Sequence, residues 1–257
     1  MSLGALALPA HAKLNLDLRI MGRRPSGRHE VSTRFQAVSL HDLLLVERAD
    51  DSSLSGSLLE RPEEDLVLKA LRTLESAVGR PMPARFNLHK RIPAGSGLGG
   101  GSSDAATALL AINRLYGLRL DPAALQRTAV SVGADVAFFL QGGAAQASGV
   151  GESLEPVQPA TGCFALAWPG YAVSTAAVYE AWDEVGGEGE NELCRAALTV
   201  EPRLAAFAEE LGPGWQMTGS GSAFFAVAQD LADARRLLEP LQCWTAVAFP
   251  VAAWGPD

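Results

Sequence analysis

The sequence predicts an α+β fold in two parts, and three observations predict it. A glycine-rich loop joins a strand to a helix near residue 95. Apolar residues recur at a period of two in some stretches and at helical spacing in others. A proline-bearing, glycine-ending stretch at 155–162 separates this first part from a later run of strands and helices. The order strand, helix, helix, strand, helix, strand after that point suggests a helix-on-sheet layer. The boundary is therefore set at 157/158, with a first domain over 1–157 and a second over 158–257.

The loop organises the chain. Residues 85–92 carry Phe86, Leu88 and Ile92 on one face, which predicts a strand, and 105–113 are rich in helix formers. Between them lie Pro93, Ala94, Gly95, Ser96, Gly97, Leu98, Gly99, Gly100, Gly101, Ser102, Ser103 and Asp104. Ser102, Ser103 and Asp104 are expected to supply N-cap chemistry. Glycine lets backbone approach a ligand, and free amides at a helix start favour an anion, most naturally a phosphate. No Gly-Lys-Ser/Thr closes the loop, so it is not a Walker A loop. Gly95, Gly97 and Gly100 also satisfy the dinucleotide spacing, but the acid at the required distance, Asp121, precedes Pro122 and opens another helix instead of ending a second strand. A bare turn needs only one or two glycines, fewer than this loop holds.

In chain order, residues 13–20 alternate, with Leu14, Leu16, Leu18 and Ile20 facing a core and Lys13, Asn15, Asp17 and Arg19 opposite. Asp17 and Arg19 are expected on a solvated face, while Lys13 and Asn15, at the strand's beginning, can point into a cleft. The loop 22–30 carries three arginines and His29, a basic contact in an acidic protein. Residues 35–40 and 43–47 read as two strands around His41 and Asp42, and 50–57 as an exposed hairpin or loop. A helix over 63–78 presents Val67, Ala70, Leu71, Leu74 and Val78 on one face and ends at Gly79. Asp121 and Pro122 start another helix, which stops at Gly133.

Asp135 then sits in an otherwise apolar run. An unpaired buried carboxylate is costly, so Asp135 is either a helix cap or an acid–base group held beside a cation, with Lys13 the candidate. In the second part, 163–168 is a strand, Ser174 and Thr175 cap a helix running to Trp182, 191–197 and 202–211 are helical, and a second glycine-serine stretch, 217–223, precedes the strand 224–228. Asp230 caps the helix 231–241, and 245–251 is a strand.

Composition narrows the function. Of 257 residues, 48% are hydrophobic and 19% charged, and the net charge of −8 argues against a general nucleic-acid or membrane-surface binder. Three widely spaced cysteines with no CxxC pair suit a reducing cytosol. No apolar run reaches transmembrane length, and the apolar start, 1–9, is too short and lacks the basic flank of a signal peptide.

Three regions, in order, resemble the signature regions of the GHMP kinases: the Lys13 strand, the loop 93–106, and the stretch 218–222. Within that superfamily, Ala12 to Leu16, Gly27-Arg28-His29, the triple glycine with Ser-Ser-Asp-Ala-Ala, Gly133 to Val136, and Gly149 to Glu152 are most similar to the branch whose alcohol substrate carries a cytidine diphosphate. The resemblance implies a ribosomal-protein-S5-domain-2-like first domain, a ferredoxin-like second domain and a cleft between them. It implies an enzyme that transfers a phosphoryl group from ATP, with Mg2+, to the 2-hydroxyl of a methylerythritol on the non-mevalonate route to isoprenoid precursors. A relative acting on homoserine or mevalonate is the alternative.

By the same resemblance, Asp135 is the catalytic base and Lys13 its partner, Asn15 lies near the methylerythritol, and His29 hydrogen-bonds the cytosine. Residues Pro93 to Ser103 wrap the ATP phosphates. The family's stacking tyrosine before that histidine is replaced here by Arg28, whose guanidinium plane can also stack on a base. Tyr179 matches the opposite wall, with Phe35 and Thr175 in support. The implied protein is cytoplasmic, a monomer or weak homodimer, and binds neither nucleic acid nor membrane. No metal ligand is evident besides Asp135.

Overall fold

The structure is a computed structural model describing residues 4–254. Residues 1–3, part of the apolar start, and 255–257, the end of the second domain's range, lie outside it. In chain order the elements are β1 (Ala5–Asn15), β2 (Arg19–Arg23), β3 (His29–Arg48), β4 (Ser53–Ser55), α1 (Leu66–Val78), β5 (Ala84–His89), α2 (Gly100–Leu115), α3 (Pro122–Val132), β6 (Ala144–Ser148), β7 (Ser153–Pro156), β8 (Cys163–Trp168), α4 (Thr175–Val185), α5 (Cys194–Val200), α6 (Arg203–Leu211), β9 (Trp215–Met217), β10 (Phe224–Ala228), α7 (Leu231–Leu238) and β11 (Trp244–Ala248). The fold is α+β, as expected.

The first sheet has seven strands, built around β3, a single strand of 20 residues. This corrects the reading of two strands around His41 and Asp42. Both residues stay in the ladder: His41 pairs with His11 and Asp42 with Ala10. Polar letters broke the apolar pattern without breaking the strand, because Asp42 is buried and satisfied by partners outside the sheet. One edge of β3 carries β1 and the other carries β5 and β6, so Phe35 and Leu44 each have a partner on both sides. A bulge between His11 and Ala12 re-aims the end of β1.

A second correction concerns that end. The alternating run 13–20 is not one strand: β1 begins at Ala5 and stops at Asn15, and β2 starts at Arg19. Lys13 and Asn15 thus lie at the strand's finish, where Ala12, Lys13, Leu14 and Asn15 are all buried. The remaining elements follow their local chemistry. Asp65 caps α1 by accepting from the Val67 amide, and left-handed Gly79 ends it. Asp121 caps α3, Ser174 caps α4 and Asp230 caps α7. Helices α1, α2 and α3 bury Leu71, Leu74, Leu109, Ile112 and Leu125 against the first sheet.

The second sheet runs β11-β8-β10-β9, antiparallel throughout, with β9 beyond the expected strands. Its central strand β8 is buried on both faces, apart from Trp168 at its end. Cys163 and Ala165 meet α7 and Ala167 joins the core of α4, α5 and α6, while Phe164 and Leu166 turn the other way. There they join Ala12, Leu14, Ile92 and Leu98 in a third core between the two sheets. The last segment returns to the first sheet: Phe249 and Val251 bond Ser39 and Ala37, and the Trp254 amide donates to the Gln141 carbonyl.

Candidate active site

The shared core brings three separated stretches together. The Lys13 amide donates to the Leu98 carbonyl at 2.9 Å, and the Ala223 amide donates to the Ser96 carbonyl at 2.9 Å. The Asn15 amide donates to Thr218 Oγ1 at 2.8 Å. The end of β1, the glycine loop and the second glycine-serine stretch are thereby laced into one wall. Asn191 holds the last of these from behind, its side-chain amide donating to the Met217 and Gly219 carbonyls at 2.8 and 2.9 Å.

The loop uses its glycines for both conformation and space. Gly95, Gly97 and Gly99 have positive φ, and a Cβ on Gly97 would lie 2.7 Å from the Thr218 carbonyl oxygen. Gly99 is the N-cap residue of α2, without a side-chain cap. This corrects the expectation for Ser102, Ser103 and Asp104, which stand inside the helix. Among the described residues, the amides of Gly100, Gly101 and Ser102 donate to no acceptor. A helix start left open in this way suits an anion.

Across the loop, Lys13 Nζ lies 3.6 Å from Asp135 Oδ2. Lys13 also donates to Asn15 Oδ1 and sits 5.3 Å over the Phe35 ring. Burial pushes the Lys13 ammonium below its ordinary value, and the Asp135 charge opposes that shift. Asp135 occupies a short 3-10 turn, Ala134–Val136, and about a third of its side chain remains accessible from the cleft. The ion pair can therefore meet a ligand.

These groups line one cleft of about 950 Å³, together with His29, Thr175 and Tyr179. The His29 ring stacks on Tyr179 with centroids 5.0 Å apart and meets the Trp182 edge at 5.7 Å. Burial, with the Asp135 charge adding, raises the Tyr179 hydroxyl to about 12, so it stays protonated. Thr175 shares a 2.8 Å hydrogen bond with Ser220. Arg28 lies exposed on the cleft wall. The observed stack is His29 on Tyr179, not Arg28 on a ring.

Sequence reasoning missed two sets of cleft residues. Asp183 accepts from His29 Nε2 at 2.7 Å and pairs with Arg23 at 3.1 Å. The available signal was its spacing, four residues after Tyr179 on one helix face. Lys90 bridges Asp42 and Asp104, the latter at 2.7 Å, under the loop. Nothing in the spacing of these three residues announces the cluster. Among the described residues, no group of three or more His, Cys, Asp or Glu could hold a metal, and no helix is long and apolar enough to cross a membrane.

The fold and the open-ended loop define a GHMP kinase, an ATP-dependent small-molecule kinase, and residues 65–143 match the GHMP kinases N terminal domain. The chain is 37% identical to the 4-diphosphocytidyl-2-C-methyl-D-erythritol kinase of Paracidovorax citrulli, covering 97% of each. It is 37% identical to that of Polaromonas naphthalenivorans, covering 88% of this chain and 86% of the relative. A crystal structure of 4-(cytidine 5'-diphospho)-2C-methyl-D-erythritol kinase superposes with a TM-score of 0.79 at 37% identity, covering 96% of this chain and all 100% of the other. The chain belongs to the 4-diphosphocytidyl-2-C-methyl-D-erythritol kinase family. A homoserine kinase from Cytophaga hutchinsonii, at 18% identity and a TM-score of 0.68, shares the fold alone.

Proposed function

We infer that this chain transfers the terminal phosphoryl group of ATP to the 2-hydroxyl of 4-diphosphocytidyl-2-C-methyl-D-erythritol, giving the 2-phosphate and ADP. The observation that carries this reading is the Lys13–Asp135 pair, at 3.6 Å, set between the open amides of the loop and the His29–Tyr179 stack. One end of the cleft suits a triphosphate, the other a pyrimidine, and the pair stands where an alcohol between them would react.

Phosphoryl transfer asks a protein mainly for positioning and charge neutralisation. Asp135 takes the proton from the hydroxyl as its oxygen attacks phosphorus, and the bond to the ADP oxygen breaks. Lys13 stands beside Asp135 and stabilises developing negative charge on the attacking oxygen. Asn15 orients Lys13 and touches the methylerythritol. The amides from Gly95 to Ser103 hold the phosphates, with Pro93 and Ala94 shaping the entry. Phe35 and Thr175 bound the alcohol, His29 and Tyr179 the cytosine, and Arg28 its outer side.

Among the described residues, no cluster of carboxylates offers a cage for a cation. Mg2+ fits only as the partner of the nucleotide phosphates, with Asp135 and the Ser102 hydroxyl as its protein contacts. When bound, it supplies charge neutralisation on those phosphates. A cytoplasmic monomer or weak homodimer, divided at 157/158, completes the proposal.

Purified enzyme should phosphorylate 4-diphosphocytidyl-2-C-methyl-D-erythritol efficiently and homoserine or mevalonate negligibly, as read by ADP release. Preference for homoserine or mevalonate would refute the assignment.

A further inference from the structure

Asp183 lies outside the machinery assigned so far, yet it touches the residue that faces the pyrimidine. It projects from α4, one turn after Tyr179, so the same helix face gives His29 both a stacking partner and a hydrogen-bond acceptor. Its two oxygens are divided. Oδ1 meets His29 Nε2 at 2.7 Å, and Oδ2 meets Arg23 Nη1 at 3.1 Å. Arg23 is itself steadied by donating from Nε to the Gly27 carbonyl at 3.0 Å. The hydrogen bond from His29, with the charge of Arg23 adding, holds the Asp183 carboxyl below the usual carboxylate range. Asp183 is thus an acceptor only, and Nε2 must carry the hydrogen between them.

We propose that Asp183 is a positioning residue that fixes the tautomer of His29, so that the Nδ1 lone pair faces the cleft and selects an amino-bearing pyrimidine over an oxo-bearing one. In neutral imidazole only one nitrogen carries hydrogen, so Nε2–H leaves Nδ1 as a bare acceptor. Among the described residues nothing bonds Nδ1, and His29 lines the cleft. Cytosine presents an exocyclic amine, which donates to such an acceptor. Uracil presents a carbonyl oxygen at the same place, and two lone pairs would face each other, both unpaired. This inference rests on the reading of the cleft as a cytidine site, and deepens it.

The Arg23 contact gives the proposal a sharp consequence. In Asp183→Asn, Arg23 can pair only with the amide oxygen, which turns the NH2 group towards His29. Nε2 then accepts, the hydrogen moves to Nδ1, and the cleft faces a donor. In Asp183→Ala neither tautomer is imposed.

The test combines 15N-histidine NMR at mildly alkaline pH with steady-state kinetics on 4-diphosphocytidyl-2-C-methyl-D-erythritol and its uridine counterpart. The His29 signal is identified by its loss in His29→Gln. The wild-type enzyme should show the Nε2–H tautomer and favour the cytidine substrate by about 100-fold or more in kcat/KM. Asp183→Ala should mix the tautomers and cut the preference by about tenfold, through KM for the alcohol and not through KM for ATP. Asp183→Asn should show Nδ1–H and move the preference further towards uridine than the alanine variant does. An Nδ1–H tautomer in the wild type overturns the proposal, as do variants that lower both substrates alike or leave their ratio unchanged. Wild-type enzyme that shows the Nε2–H tautomer but turns over neither pyrimidine substrate refutes the cytidine reading, and the base selection with it.

Discussion

Two lysines, Lys13 buried and Lys90 half-buried, line the same cleft in different settings. Lys13 faces one carboxylate, Asp135, at 3.6 Å, and burial drives its ammonium below the ordinary value. Lys90 is gripped by two, Asp42 and Asp104. Burial presses Lys90 down as well, but the charges of Asp104 and Asp42 outweigh it and the net shift is upward. A loosely held ammonium beside an accessible carboxylate can respond to a substrate. A tightly held one under the start of α2 braces the glycine loop. On the proposed reading the same residue types serve reaction in one place and architecture in the other, and the number and reach of the partners make the difference.

Lys13→Met should break the contrast on the reactive side. We expect kcat to fall about 10³-fold, with ATP binding changed by less than about threefold and thermal stability nearly unaltered. ADP release and calorimetric titration would check this. Lys90→Met should do the reverse, because it strands two carboxylates that are almost wholly buried. Its expected cost is about 3 kcal/mol of stability, read by urea unfolding.

Asp104 sharpens the comparison through pH. Asp42 also accepts the Arg91 and Ile92 amides, whereas Asp104 Oδ1 is buried without a partner. Burial, opposed by Lys90, raises the Asp104 carboxyl from 3.8 to about 7. Between those values the folded protein binds a proton that the unfolded chain has released, so this group's contribution to stability declines as pH rises from 3.8 to about 7 and is level above. Asp104→Asn has no such proton. Melting curves should therefore show the variant gaining on the wild type from about pH 5 to about pH 7 and holding a constant difference beyond. The smallest effect is expected at Asn191→Ala, which frees the Met217 and Gly219 carbonyls. It should cost about 1–2 kcal/mol, also by urea unfolding.

The Lys13–Asp135 pairing was legible in the sequence and the bracing cluster was not. Asp135 stood out as a lone carboxylate in an apolar run, and Lys13 as a cation in an alternating strand. Lys90, Asp42 and Asp104 each had an ordinary local explanation, as strand end, turn and helix cap, and only folding brings them together. The caps at Asp121, Ser174 and Asp230 were legible because capping is local. The length of β3 was not, because His41 and Asp42 are kept in the strand by partners distant in sequence. Asp183 was hidden for a similar reason, since its meaning depends on His29, which lies on the first sheet.

The central claim of the proposed function is that Asp135 removes the proton from the alcohol while the glycine loop does most of the holding of the nucleotide. Its most direct test is a rapid-quench single turnover of Asp135→Asn, saturated with ATP and 4-diphosphocytidyl-2-C-methyl-D-erythritol. The account predicts that both ligands bind as they do to the wild type and that phosphoryl transfer slows by about 10³-fold or more. Transfer at the wild-type rate in that variant would contradict it.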